Sequence, residues 1–233
     1  MFRKELIELK PEETLDEDQI AKACKINDFT GYERVFSLFP DYKFDKGLEL
    51  FSGQGLITVY LHTKVRRLTC IDIVPELKDC VWRFKNVTFI PVDSLALVRR
   101  HWNQIAYDVV DIDCSTNWDG EGLRRYEFYC FLPEVLKMVR KFIVFTFIKD
   151  PFSEGFQHYL NRYPGYNENL IDYIAEARSA FWGVSGFVTD EVMEEKMNAA
   201  ANKVGKKVRL LLREPRTPLM DAHERIYFLV ENV

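Results

Sequence analysis

From Lys46 onward, short apolar runs of strand length alternate with longer amphipathic stretches, the pattern of βα units wound about a parallel sheet. The runs predict strands at Gly47–Phe51, Leu68–Ile71, Val87–Pro91, Tyr107–Ile112 and Phe142–Phe147. Helices are predicted between them at Leu56–His62, Pro75–Phe84 and Ser94–Trp102, with a longer one over Glu121–Val139. Three more helices follow the fifth strand, at Ser153–Arg162, Asn167–Trp182 and Asp190–Val204. The pattern then changes. Lys207–Arg213 and Arg225–Val230 are two strand-like runs with no helix between them, so they must pair antiparallel or be joined by a very tight link. The polar stretches Arg213–Pro218 and Asp221–Arg225 between them read as a solvated loop. These elements imply an α/β fold: a seven-stranded, mostly parallel sheet with an antiparallel terminal strand pair and helices on both faces.

Residues 1–46 lack this alternation and form an N-terminal helical and irregular extension ahead of a main domain over 47–233. The acidic stretch Glu12–Asp18 opens an expected short helix from Leu15 to Cys24. Aromatics between Phe29 and Phe36 are read as irregularly spaced and expected to pack on the sheet edge.

Composition narrows the class. A chain of 233 residues supports one sizeable α/β core, and 47% hydrophobic with 29% charged residues is a globular balance. Cys24, Cys70, Cys80, Cys114 and Cys130 are odd in number and lack C-x-x-C spacing, so reduced thiols are expected rather than a zinc site or a disulfide framework. His62, His101, His158 and His223 share no spacing that would build a metal site or a triad. The start of the chain runs directly into mixed charge and no apolar run reaches membrane-span length, so no membrane association and a cytoplasmic location are expected. A net charge of −4 argues against a uniformly basic coat but leaves basic clusters at 64–67, 99–101, 124–125, 137–141 and 203–209.

The chemistry concentrates at strand ends. The first strand closes in Glu49-x-x-x-Gly53-x-Gly55, where glycines let the backbone turn tightly while a ligand packs against it. About twenty residues on, Asp72 ends the second strand where a carboxylate can accept both ribose hydroxyls. Dinucleotide enzymes share that spacing but normally add a third glycine to admit a pyrophosphate, and Thr58 stands there. A nucleoside cofactor without phosphate has no such need. Asp93 and Ser94 follow the third strand, and the fourth runs through Asp111-Ile112-Asp113-Cys114-Ser115-Thr116-Asn117-Trp118.

With these motifs the chain resembles the class I S-adenosylmethionine-dependent methyltransferases from about Lys46 onward. The resemblance implies S-adenosylmethionine as cofactor, with Gly53 and Gly55 as its glycine loop and Phe51, just ahead of them, also against the cofactor. It implies Glu49 at the cofactor's amino-acid end, Asp72 on the ribose, Ile73 against the adenine, and Asp93 with Ser94 at the adenine amino group. Asp111 is expected beside the cofactor. The fourth strand is similar to the segment with which amino-directed nucleic-acid methyltransferases grip a flipped base, and locally to the tRNA guanine-N2 methyltransferases. By that likeness Asp113 orients or deprotonates an acceptor amine, with Asp111 as the alternative. Cys114, Ser115 and Trp118 would contact the substrate, Trp118 by stacking. Cys114, Ser115 and Thr116 replace the expected Pro-Pro-aromatic. A thiolate at Cys114 would instead suit carbon-5 pyrimidine chemistry.

The leading expectation is therefore methylation of a base nitrogen in RNA or DNA. A protein or small-molecule methyltransferase, or a non-catalytic protein that retains the fold and binds the cofactor, stays open beside it.

Overall fold

The computed structural model describes residues 29–53, 55–81, 84–101, 105–113, 131–161, 170–215 and 222–233. Seven strands form one sheet: β1 Lys46–Leu50, β2 Arg67–Asp72, β3 Val87–Pro91, β4 Tyr107–Ile112, β5 Val139–Ile148, β6 Lys206–Pro215 and β7 His223–Asn232, in the spatial order β3-β2-β1-β4-β5-β7-β6. The first five pair in parallel, and β7 lies antiparallel between β5 and β6. Strand order reverses between β1 and β4, which opens a crevice beyond their carboxyl ends.

Helices cover both faces. On one lie α1 (Thr30–Ser37) and α2 (Thr58–Lys64), packed on Leu68, Cys70, Val109, Phe142, Val144 and Tyr227. On the other lie α4 (Ser94–His101), α5 (Leu132–Met138), α7 (Leu170–Trp182) and α8 (Asp190–Asn202), against Leu50, Ile71, Val110, Ile112, Phe145 and Phe228. The one-turn α3 (Lys78–Val81) follows a 3-10 turn at Pro75–Leu77, and α6 (Glu154–Asn161) packs Phe156 with Ile148 and Ile174 at the end of β5. Strand alternation sorts the side chains: in β4, Val109 and Asp111 face α1 while Val110 and Ile112 face α5.

The sheet matches the expected architecture, and Val87–Pro91 and Tyr107–Ile112 have the expected bounds. The expected helix Pro75–Phe84 is, among the described residues, a 3-10 turn and a single helical turn, and three larger details differ. The expected helix over Glu121–Val139 is described only from Leu132, and it stops at Met138 because Val139 already pairs with Tyr107 in β5. Phe29–Phe36 covers a face of the sheet, not its edge, and 30–37 is helical. Phe29, Tyr32, Phe36 and Phe39 in fact recur at helical spacing. The stretch from His223 to Arg225 is not loop: all three residues are buried in β7, and Arg213–Pro215 continues β6. The expected helix Leu15–Cys24 lies outside the described residues.

The edge strand β6 is covered from the side. Asn198 Oδ1 accepts from the Val208 amide at 3.0 Å and Glu194 Oε1 from the Leu210 amide at 3.1 Å, so α8 satisfies backbone donors that would otherwise offer a pairing edge. No helix among the described residues is long and apolar enough to cross a membrane.

Candidate functional site

The turn after β1 is built from left-handed residues. Phe51 (φ 59°), Gly53 (φ 51°) and Gly55 (φ 76°) alternate along it. Such a φ suits glycine and strains phenylalanine, so the loop is held from outside. Ser94, buried at the start of α4, accepts from the Phe51 amide at 3.1 Å. Asp72 at the end of β2 accepts from the Gly53 amide at 2.9 Å and, through its other oxygen, from Val74 at 3.1 Å. A Cβ at Gly55 would meet Val81 Cγ1 at 2.6 Å, so only glycine fits against α3. A Cβ at Gly53 would meet nothing closer than the Phe51 carbonyl at 4.0 Å, so this glycine faces open space.

Beneath the loop lies Glu49, 0% exposed. Its Oε2 accepts from Thr58 Oγ1 at 2.6 Å and lies 3.5 Å from Cys70 Sγ, while Oε1 has no hydrogen-bond partner. Burial, reinforced by the negative charges of Asp111 and Asp113, pushes the Glu49 carboxyl well above the ordinary glutamate range. Thr58, at the place of a third glycine, thus holds this carboxylate. The Ser52 hydroxyl, also buried, has no partner either.

Across the sheet, Asp111 is the register partner of Glu49. Asp111 is buried and accepts a short hydrogen bond from Tyr32 of α1. Burial and then Asp111 raise the Tyr32 phenol well above its usual range, so it stays a donor. Asp113, half-buried just past β4, accepts from Thr146 Oγ1 at 2.9 Å and donates its amide to Leu50 O at 3.2 Å. The buried guanidinium of Arg225 lies over the Tyr32 ring at 5.2 Å; burial works against its charge, but Tyr32, Tyr227, Asp113 and Asp111 more than offset this.

Sequence reasoning missed Tyr32, Thr146 and Arg225. Nothing local marks Thr146, whereas the aromatic stripe of α1 would have placed Tyr32 on the sheet. Ile73 is 62% exposed beside Asp72, an apolar surface suited to a flat ring. Asp93 caps α4, its Oδ1 accepting from the Leu95 amide at 2.8 Å. Cys114, Ser115 and Trp118 lie outside the described residues. Among the described residues no cluster is suited to a metal ion.

The fit to a nucleoside-bearing cation rests on this donor set. A buried carboxylate oxygen without a partner, an open-faced glycine, an exposed isoleucine and a carboxylate at the next strand end make up a wall at the carboxyl ends of β1 and β2. The basic clusters do not line it. Arg66 and Arg67 stand at the start of β2, Lys137 to Lys141 span the start of β5, Lys206 and Lys207 begin β6, and Arg99 and Arg100 lie in the last turn of α4, all at the opposite end of the strands. The fifth cluster, 124–125, lies outside the described residues.

No protein-family model matches the chain, and no curated protein matches it in sequence. Solved structures do. The N-methyltransferase NodS from Bradyrhizobium japonicum WM9 superposes with TM-score 0.51 and 14% identity, over 94% of this chain and 100% of that one. A putative S-adenosylmethionine-dependent methyltransferase from Streptococcus mutans gives TM-score 0.52 and 9% identity, over 85% of this chain and 48% of its own length. Magnesium protoporphyrin IX methyltransferase from Synechocystis PCC 6803, with bound SAH, gives 0.50 and 9%, over 91% and 84%. The fold is that of the class I S-adenosylmethionine-dependent methyltransferases.

Proposed function

We propose that the chain is an S-adenosylmethionine-dependent methyltransferase acting on an acceptor amine held beyond β1 and β4, and that the amine belongs to a nucleic-acid base. The observation that carries the cofactor is Glu49, a buried carboxylate with an unmatched oxygen under an open-faced glycine loop. Burying such a group without a partner costs free energy that a cationic ligand recovers. Glu49 and Ser52 would take the amino-acid end, Asp72 the ribose, Ile73 the adenine face, and Asp93 with Ser94 the adenine amino side.

The cofactor supplies an already activated methyl group, so the chain has to hold the acceptor in line and keep water away. Asp113 would hold the acceptor amine or take its proton, and the Thr146 hydroxyl fixes its carboxylate. Asp111, buried under Tyr32, would set the charge beneath the crevice without touching the acceptor. The nucleic-acid acceptor is supported by the likeness of β4 and its tail. A small-molecule or protein acceptor is favoured by the wall itself, which offers carboxylates to any phosphate that approaches.

Calorimetry of S-adenosylmethionine with the wild type and Asp72→Ala, each checked by thermal melting, tests the cofactor. Binding by the wild type and a loss of ~10-fold or more in the folded variant is expected, from removal of a ribose hydrogen bond to a charged group. Equal heats, or none, would overturn the reading. Labelled methyl groups traced into RNA, DNA, protein and small molecules then sort the acceptors, and transfer to none of them despite tight binding leaves a non-catalytic binding protein.

A further inference from the structure

Cations gather along one edge of the sheet, and helix ends explain only some of them. Arg99, Arg100, Lys64 and Lys137 occupy last turns, where a positive charge complements the helix dipole. Lys43, Lys85 and Arg140 do not. Lys43 precedes β1, Lys85 precedes β3 and Arg140 lies at the start of β5. All three are exposed and none forms an ion pair among the described residues. The acids at this end are largely spent internally. Asp45 binds Arg66 and Arg67 at 2.5 and 2.8 Å, and buried Asp108 accepts from Tyr42 and from the amides of Asp45 and Lys46. Among the described residues Asp41 and Glu231 remain, the latter opposite Lys207.

The sheet gives these charges a geometry. In the order β3-β2-β1-β4-β5-β7-β6, cations stand at the start of every strand that runs in the parallel direction, with β4 served by the end of α4. Neighbouring strands are about 4.8 Å apart, so the row extends about 29 Å along the twisted edge of the sheet. A linear array of exposed positive charge fits a linear polyanion, whose phosphates follow one another at spacings of the same order.

We propose that this edge is a docking surface for the phosphate backbone of a nucleic acid, separate from the crevice at the opposite ends of the strands. The surface reads charge and not sequence, as backbone contacts do. Nothing in it depends on methyl transfer, so it stands or falls apart from the proposed activity.

The test is fluorescence anisotropy of a labelled single-stranded RNA 20-mer against the full chain over a salt series. Binding is expected at low salt, with an affinity that falls steeply as salt rises. The exposed pair Lys85→Glu/Arg140→Glu should bind ~10-fold or more weakly and flatten the logarithmic salt slope by roughly 1.4, about 0.7 for each lost single-strand phosphate contact. Lys78→Glu/Lys196→Glu, with the same change in net charge away from the row, should stay within ~3-fold of the wild type, since screening weakens distant charge. If the first pair fails to fold, Arg99→Gln/Arg100→Gln reads the same row. Gly53→Ala should keep full RNA affinity while losing the cofactor, which separates the two proposals. The docking surface is overturned if the wild type does not bind RNA at low salt, if both charge-reversed pairs lose affinity equally, or if vesicles rich in phosphatidylserine bind where RNA does not.

Discussion

Glu49 concentrates the tension of the candidate site in one residue. It sits in a strand position that packing would give to an apolar side chain, and its folded-state acidity is weakened by burial first and by Asp111 second. A carboxyl raised in the fold is most comfortable when protonated, so its contribution is intact below the unfolded value near 4.5 and is lost as pH climbs from there toward the raised folded value. Glu49→Gln keeps an acceptor for Thr58 and removes that loss. Thermal melts between pH 5 and 8 should therefore show the variant more stable than the wild type, by roughly 2–4 °C for each kcal/mol recovered, with the gap widening as pH rises. Calorimetry should show the same variant losing cofactor affinity, the exchange of stability for function expected of a binding residue. A variant that is less stable throughout this range, or that binds as before, would mark Glu49 as a packing residue. The acid and the glycines were legible in sequence because their spacing is local. Thr146 and Arg225 were not, because the pairing of β4 with β5 brings Thr146 to Asp113 and the pairing of β5 with β7 sets Arg225 beside Thr146.

At the scale of elements, α1 shows what periodicity offered and what it withheld. Its aromatic stripe is visible in the chain, but Gly31 interrupts it and invites a loop reading. The structure gives that glycine a packing reason: a methyl group there would overlap Glu214 Oε1 and stand 2.6 Å from Tyr227 Oη. Backbone and sheet meet at this point, which lets Tyr32 reach Asp111. Gly31→Ala should push the helix away, costing about 1–3 kcal/mol as overpacked sites do, with a lower denaturant midpoint as the measure. Tyr32→Phe, which spares the backbone contact, should leave the helix seated and disturb the hydrogen bond at Asp111 alone. If both variants melt alike, the seat is not at Gly31. The helix-to-strand junction at Met138 and Val139 was hidden for a different reason: no glycine or proline marks it, and Lys137–Lys141 is as polar as a surface helix.

For the whole molecule, the alternation of strand and helix foretold the sheet, and the absent helix before the last strand foretold its antiparallel end. Beyond pattern lay the order of strands, which depends on which edges remain unpaired after the crossovers are made. Here the place of β7 has a consequence for how the chain is made. β6 leaves the ribosome before β7 yet has no partner in the sheet until β7 arrives, because β7 stands between it and β5. Until then β5, with Phe142, Phe145 and Phe147 along it, presents an open edge to other nascent chains, the kind of interval in which aggregation competes with folding. Chains stalled after Pro215 should accumulate in the insoluble fraction, and a synthetic strand spanning 222–233, supplied in trans during refolding, should return a measurable share of them to solution. Should such chains stay soluble and cooperatively folded without it, β6 can find β5 unaided, and chaperones have nothing to guard during that interval of synthesis.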